Sequence, residues 1–204
     1  MAIKKFIIGS FETNTYLITK GDKAVVVDPG LEIESILPEL TNYEIEAILI
    51  THAHIDHIDG VEYFNAPIYV LEPDLLGFKD MTFSLYQLCY QKPSFNYQNL
   101  RLIGVKDNEI ITLPNFTFKV LATPGHTRGS CCYLYYNSLF SGDTLFKGSC
   151  GRTDFPGGNY LMMQKSLKRL VTELNDDVVV YPGHDEKTTI KRERQDNLYI
   201  NRQF

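Results

Sequence analysis

Three histidines and an aspartate crowd into six residues of this chain, His52-Ala53-His54-Ile55-Asp56-His57, directly after the apolar run Ile45–Thr51. Titratable groups set this densely repel one another and lose hydration unless something cationic binds among them. The apolar run reads as a buried strand. In extended geometry His52 and His54 point to the same side, so both reach one cation. A turn into a helix then aims Asp56 and His57 at a second point nearby. Neutral imidazole and carboxylate are donors that suit zinc, iron or manganese. Whatever this chain folds into must hold a polar cluster at the end of a buried strand.

The other two of the five histidines sit in matching settings. His126 follows Thr123-Pro124-Gly125 after a strand-like run, Phe116–Ala122, and His184 follows Tyr181-Pro182-Gly183 after another, Val178–Tyr181. A strand, then Pro-Gly, then His presents a side chain at a sheet edge on a rigid turn. Between them lies Phe140-Ser141-Gly142-Asp143-Thr144. Alone, Asp143 would read as a helix cap or turn former. In this company it is a candidate oxygen ligand bridging two metals.

Periodicity predicts strands over Lys4–Ile8, Thr15–Thr19, Ala24–Asp28, Ile45–Thr51, Pro67–Leu71, Ile110–Thr112, Phe116–Ala122, Cys131–Tyr136, Leu139–Gly142 and Val178–Tyr181. It predicts helices over Leu31–Leu40, Asp56–Phe64, Tyr160–Leu174 and Lys187–Ile200, with Leu167, Leu170 and Leu174 on one face of the third. Strands and helices in two blocks suggest an α/β architecture of two packed sheets with helices outside. At 204 residues the chain is expected to form one domain, 1–204. The aromatic, amide-rich stretch Leu75–Asn99 has no clean period. It reads equally as a cover over a site or as an irregular part of the core, and its Tyr and Phe side chains either line a groove or fill that core.

Composition removes whole classes of function. With 44% hydrophobic and 22% charged residues, disorder is excluded as the main state. A net charge of -5 argues against nucleic acid as the default partner. No run approaches the roughly 20 apolar residues of a membrane helix, so no membrane association is expected. Phe6-Ile7-Ile8 after Lys4 and Lys5 is too short for a signal-peptide core. The cysteines Cys89, Cys131, Cys132 and Cys150 form no C-x-x-C pair, and Cys131 and Cys132 would face opposite sides of a strand. They are expected to be reduced thiols in a cytoplasmic protein.

The order His52-x-His54-x-Asp56-His57, His126, Asp143, His184 resembles the metallo-β-lactamase superfamily over essentially the whole chain. The resemblance implies a four-layer αβ/βα sandwich of two mixed β-sheets flanked by helices, with the site at one edge of the sheets. It also implies a ligand set: His52, His54 and His126 for metal one, Asp56, His57 and His184 for metal two, and Asp143 bridging. The loop Cys150-Gly151-Arg152-Thr153-Asp154-Phe155-Pro156-Gly157-Gly158 and the stretch Lys187-Thr188-Thr189-Ile190 with Glu193, Arg194 and Asn197 resemble the small glyoxalase II-like hydrolases. Two positions depart from that pattern. Leu198 stands where those hydrolases carry proline, and Asp59 where many carry glycine, a change that could alter polarity beside metal two.

The activity implied is hydrolysis of a small-molecule thioester, such as a hydroxyacylglutathione, by a hydroxide bridging two divalent cations. Zinc comes ahead of iron or manganese, and Asp56 orients the nucleophile. The C-terminal helical extension that helps full-length glyoxalase II enzymes hold glutathione has no counterpart in these 204 residues. The runner-up is a persulfide dioxygenase, similar around the same loop, with one iron on His52, His126 and Asp143. A remoter alternative is a non-catalytic metal-binding protein on the same fold, whose mark would be missing ligands. Arg152 and Asp154 are expected as a buried ion pair beside Asp143. Asp28 either accepts a hydrogen bond from a ligand histidine or simply shapes its turn. Thr127 and Ser130 are either donors behind the ligands or residues that begin a strand.

Overall fold

The computed structural model describes residues 1–201. Strands β1 (Ala2–Ile8), β2 (Thr13–Lys20), β3 (Lys23–Val27), β4 (Glu44–Ile50), β5 (Ile68–Leu71) and β6 (Leu102–Val105) form one sheet in that order. The first three pair antiparallel, and β3 to β6 run parallel. Strands β7 (Ile110–Thr112), β8 (Thr117–Ala122), β9 (Cys131–Tyr135) and β10 (Ser138–Gly142) form the second sheet with two later strands, β13 (Val179–Pro182) and β14 (Thr188–Thr189). Its only parallel pairing joins β10 to β13. A small hairpin, β11 (Leu145–Phe146) with β12 (Ser149–Cys150), stands apart from both.

The valine run of β3 explains the layering. Val25 and Val27 point into a core shared with Phe118, Val120, Tyr133 and Phe140 of the second sheet. Val26, on the opposite pleat, packs with Ile33 and Leu40 on the outer face. A strand buried on both faces needs no polar alternation, which is why this run reads as continuous. The second sheet divides the same way. Cys131 and Tyr133 join the inner core, while Cys132 packs outward against Leu167 and Leu170 of α3 (Tyr160–Glu173). These outer clusters complete the expected four-layer sandwich. Asn159 caps α3 by accepting from the Met162 amide.

Several predicted helices are shorter than their periodicity suggests. Over Leu31–Leu40 the chain forms a 3-10 turn, Ile33–Ser35, and one helical turn, α1 (Leu37–Leu40). Glu32 takes a left-handed conformation, and Pro38 lacks the amide needed to continue the turn before it. The run Asp56–Phe64 is α2 (Ile55–Ile58) followed by a 3-10 turn, Asp59–Tyr63. Lys187–Ile200 begins as strand β14, and Thr189 then caps α4 (Ile190–Asp196) by accepting from the Arg192 amide. At Asn197 the backbone turns extended before α5 (Leu198–Asn201). Strands β6, β11, β12 and β14 have no counterpart among the expected strands, and the last three are two residues each.

Of the two readings of Leu75–Asn99, its aromatic side chains follow the core one. Phe78, Leu85, Tyr86 and Phe95 pack over Ile48, Ile50 and Ile55. Asp59 accepts from the Tyr86 hydroxyl at 2.5 Å and from the Ser94 amide at 3.1 Å. That carboxylate therefore anchors the segment. Among the described residues no helix is long and apolar enough to cross a membrane.

The face of α3 offers a check on the packing. Leu167 is fully buried, whereas Leu161 is 70% exposed on the same helix. Leu167→Ala is expected to cost about 2–5 kcal/mol in denaturant unfolding, and Leu161→Ala to stay within about 0.5 kcal/mol.

Candidate metal centre

The two sheets meet at the ends of β4, β8, β10 and β13, and hydrogen bonds stitch the seam. The Cys131 amide donates to Thr51 O at 2.9 Å, the Asn14 amide to Gly183 O at 2.7 Å, and the Tyr133 hydroxyl to Ile50 O at 2.9 Å. Each expected site residue lies at one of these ends. Beyond β4 come His52 and His54, and Asp56 and His57 lie in α2, where His54 is the N-cap. His126 follows β8, Asp143 follows β10, and His184 follows β13.

All seven side chains converge. His52, His54 and His126 each bring a ring nitrogen within 4.8 Å of the others, and so do the donor atoms of Asp56, His57 and His184. A third set, His52, His57 and Asp143, joins the first two. Asp143 faces both ways: Oδ1 lies 3.5 Å from His57 Nε2, while Oδ2 lies 3.5 Å from His126 Nε2 and 3.6 Å from His184 Nε2. Asp56 Oδ2 lies 3.3 Å from both His57 Nε2 and His184 Nε2, and it accepts from the Thr13 hydroxyl at 3.0 Å.

A test of fit comes from the polar atoms left over. Six buried side-chain nitrogens and oxygens among the described residues have no hydrogen-bond partner, and four of them are His52 Nε2, His54 Nε2, His57 Nε2 and Asp143 Oδ1. A buried polar atom without a partner costs about 1–3 kcal/mol. Clustered lone pairs on imidazole and carboxylate fit a divalent cation, which would satisfy them together. Burial, reinforced by the neighbouring imidazoles, pushes His52 and His54 well below the usual histidine range, so both stay neutral with lone pairs available. Burial opposes charge on Asp56 and His57 as well, but their mutual attraction outweighs it. Asp56 is held well below the carboxylate range, and His57 well above the histidine range with further help from Asp143 and Asp28. Burial opposes charge on His184 too, and Asp56 and Asp143 raise it against that burial.

Second contacts fix the rings. Asp28 sits at a left-handed φ of 52° after β3, where its Oδ2 lies 3.0 Å from His57 Nδ1 and accepts from the Thr51 hydroxyl at 2.7 Å. Both expectations for Asp28, a turn former and a histidine partner, are therefore met. His126 Nδ1 lies 2.7 Å from Arg152 O, which turns Nε2 toward His54 Nδ1 at 2.9 Å. Two glycines make room. A Cβ on Gly183 would sit 2.2 Å from Asp143 Oδ1 and 2.8 Å from His57 Cε1, and one on Gly30 would sit 1.6 Å from Asp56 O.

Two details differ from expectation. Arg152 and Asp154 do pair, at 2.7 and 2.6 Å, but their side chains are 57% and 66% exposed. The pair is a surface feature because the loop's backbone, through Arg152 O, faces the cluster while its charged side chains point to water. Asp74 was missed. Its buried carboxylate accepts from the Ala53 and Gly129 amides and the Thr127 hydroxyl, tying the His52–His54 segment to the loop after His126. It lies within the 3-10 turn Glu72–Phe78 after β5, and no local pattern marks it because its partners, Ala53, Thr127 and Gly129, are distant in sequence. Thr127 also donates its amide to Ser130 Oγ at 2.9 Å, so both residues brace this loop.

Residues 8–184 match the family model of the metallo-beta-lactamase superfamily, a span that contains all seven clustered side chains. The chain belongs to that superfamily. "Hydroxyacylglutathione hydrolase GloC" of Haemophilus influenzae is 30% identical over 98% of this chain and 99% of its own length. The crystal structure of BLEG-1 B3 metallo-beta-lactamase superposes with a TM-score of 0.90 at 31% identity, covering 98% of this chain and all of that one. TTHA1623, solved in a di-iron-bound form, gives 0.82 at 31% identity over 96% and 99%. The superfamily's two-sheet sandwich is the fold observed here.

The Asp28 contact can be tested directly. Asp28→Asn weakens the acceptor that orients His57 and is expected to lower metal affinity about 10- to 100-fold, read by equilibrium dialysis against a competing chelator. An unchanged affinity would reduce Asp28 to a turn former.

Proposed function

We propose that this superfamily member is a two-metal hydrolase acting on thioesters, with hydroxyacylglutathione as the reference substrate. The observation that carries this reading is a pair of three-donor sets with Asp143 between them, within 3.6 Å of His126 in one and His184 in the other, and four buried polar atoms of the cluster without a hydrogen-bond partner. His52, His54 and His126 would hold one cation, Asp56, His57 and His184 the other, and Asp143 both. Five imidazoles and two carboxylates without a thiolate suit zinc first, and iron or manganese next. The di-iron form of TTHA1623 supports a binuclear site, and the similarity to the hydroxyacylglutathione hydrolase GloC supports the substrate class.

Two divalent cations in these positions would polarise a carbonyl oxygen and lower the pKa of a water from about 15.7 to about 7. The chain's own part is orientation and proton control. Thr13 holds Asp56 Oδ2, which fixes the plane of a carboxylate that can align the attacking water. Asp28 and Arg152 O set the rings of His57 and His126, so the donors are arranged before substrate arrives. Water adds to the carbonyl carbon, the carbon–sulfur bond breaks, and the thiolate leaves to take up a proton. No side-chain nucleophile is required. Cys131 and Cys132 are buried, and burial pushes both thiols up.

A persulfide dioxygenase would use one iron on His52, His126 and Asp143 and keeps the same His-x-His-x-Asp-His pattern, while the Pro182-Gly183-His184 turn and the Thr188-Thr189-Ile190 stretch favour the hydrolase. The two chemistries separate cleanly by assay. The metal-loaded protein is expected to release thiol from lactoylglutathione and to consume no oxygen with glutathione persulfide. Asp143→Ala should lose bound metal and about 10²- to 10⁴-fold of the turnover together, corresponding to several kcal/mol of transition-state stabilisation. Full turnover in metal-free Asp143→Ala protein would overturn the mechanism. Absence of turnover with every thioester and with the persulfide in the fully metal-loaded protein would return the chain to a non-catalytic reading.

A further inference from the structure

The cleft above the cluster has a volume of about 450 Å³, and apart from the clustered side chains its lining is strongly apolar. Leu85 and Leu88 come from the segment that covers the first sheet, Phe11 from the turn before β2, Phe146 from β11 and Phe155 from the loop after β12. Aromatic edges flank the donors on both sides. The Phe155 ring stands edge-on to His54 with centroids 5.9 Å apart, and the Phe146 ring edge-on to His184 at 6.1 Å. Phe11 and Leu88 are 46% and 59% exposed beside this opening. Clustered apolar side chains left in water mark a surface whose burial by a matching ligand is favourable.

Charge sorts the candidate ligands. A glutathione thioester carries two carboxylates and one ammonium, and each carboxylate needs a donor to replace its lost water. Among the described residues, Arg152 is the one lysine or arginine lining the cleft. Its guanidinium is engaged by Asp154 through two hydrogen bonds, 2.7 and 2.6 Å, and lies 3.9 Å from the centroid of the Phe155 ring. The lining therefore offers a charged peptide thiol one cation that is already compensated, while offering hydrocarbon three phenyl rings and two leucines.

We propose that the cleft selects thioesters whose non-reacting part is an uncharged hydrocarbon chain or ring, held between the Leu85–Leu88 wall and the rings of Phe146 and Phe155. This rests on the thioester reading above and names its substrate class. Nothing beyond water is consumed: the carbonyl carbon gains oxygen, the carbon–sulfur bond breaks, and a carboxylic acid and a thiol leave.

The test uses the metal-loaded full chain and two readouts. For acetyl, butyryl and hexanoyl thioesters of N-acetylcysteamine, kcat/KM is expected to rise roughly fourfold for each added methylene. The hexanoyl ester should exceed lactoylglutathione by about tenfold or more. Calorimetric binding of a straight-chain alkanethiol series should show the same dependence and tighter binding than glutathione, independently of turnover. Leu88→Ser, a change at an exposed position, should flatten both dependences. A flat series with lactoylglutathione preferred overturns the apolar selectivity and leaves thioester hydrolysis standing. Chain-length-dependent thiol binding without turnover of any thioester removes the hydrolase reading and keeps the selectivity of the cleft. Flat binding together with absent turnover removes both.

Discussion

The structure is organised around the cost of confining five imidazoles and two carboxylates at the seam between two sheets. In water such groups would keep their hydration and stand apart. Here they are drawn into contact, and their pKa directions diverge accordingly. His52 and His54 are pushed below the usual histidine range by burial, while the attraction between Asp56 and His57 lowers the first and raises the second. Only a rigid frame keeps such a cluster together, and the frame is backbone. The amide of Cys131 and the carbonyl of Thr51 lock one sheet to the other a residue away from His52.

Carboxylates outside the cluster carry much of the rigidity. Asp28 joins Thr51 to His57, Asp74 joins Ala53 to Thr127 and Gly129, and Asp59 secures the covering segment through Tyr86 and Ser94. Each aspartate lies in or beside a turn, and each accepts from two or more donors. A single oxygen-rich side chain can therefore replace several backbone bonds that the loops cannot make among themselves.

Much of this was legible in the sequence, because the cluster's residue types are rare and their settings repeat. The Pro-Gly-His turns at His126 and His184 announced themselves, and strands with both faces buried read as apolar runs. The opposite facing of Cys131 and Cys132 followed from strand geometry alone. What stayed hidden depended on distant partners. The exposure of Arg152 and Asp154 is set by which way their loop turns, and nothing local encodes that. Asp74 needed knowledge that β5 ends beside β4. The short helices after Gly30 and His54 kept a helical period while Glu32 and Pro38 broke the first, and the two-residue strands are too brief to carry a period at all.

The donors are supplied from both ends of the chain, with His52 and His54 beyond one sheet and His126, Asp143 and His184 beyond the other. A cation gripped by both groups would act as a clasp across the interface, closed only after each half has acquired its shape. Occupancy would then be thermodynamically linked to global folding, because an ion that prefers the docked arrangement adds its binding free energy to the native state. Cellular supply of the ion would thereby set the lifetime of the folded polypeptide as well as its catalytic competence.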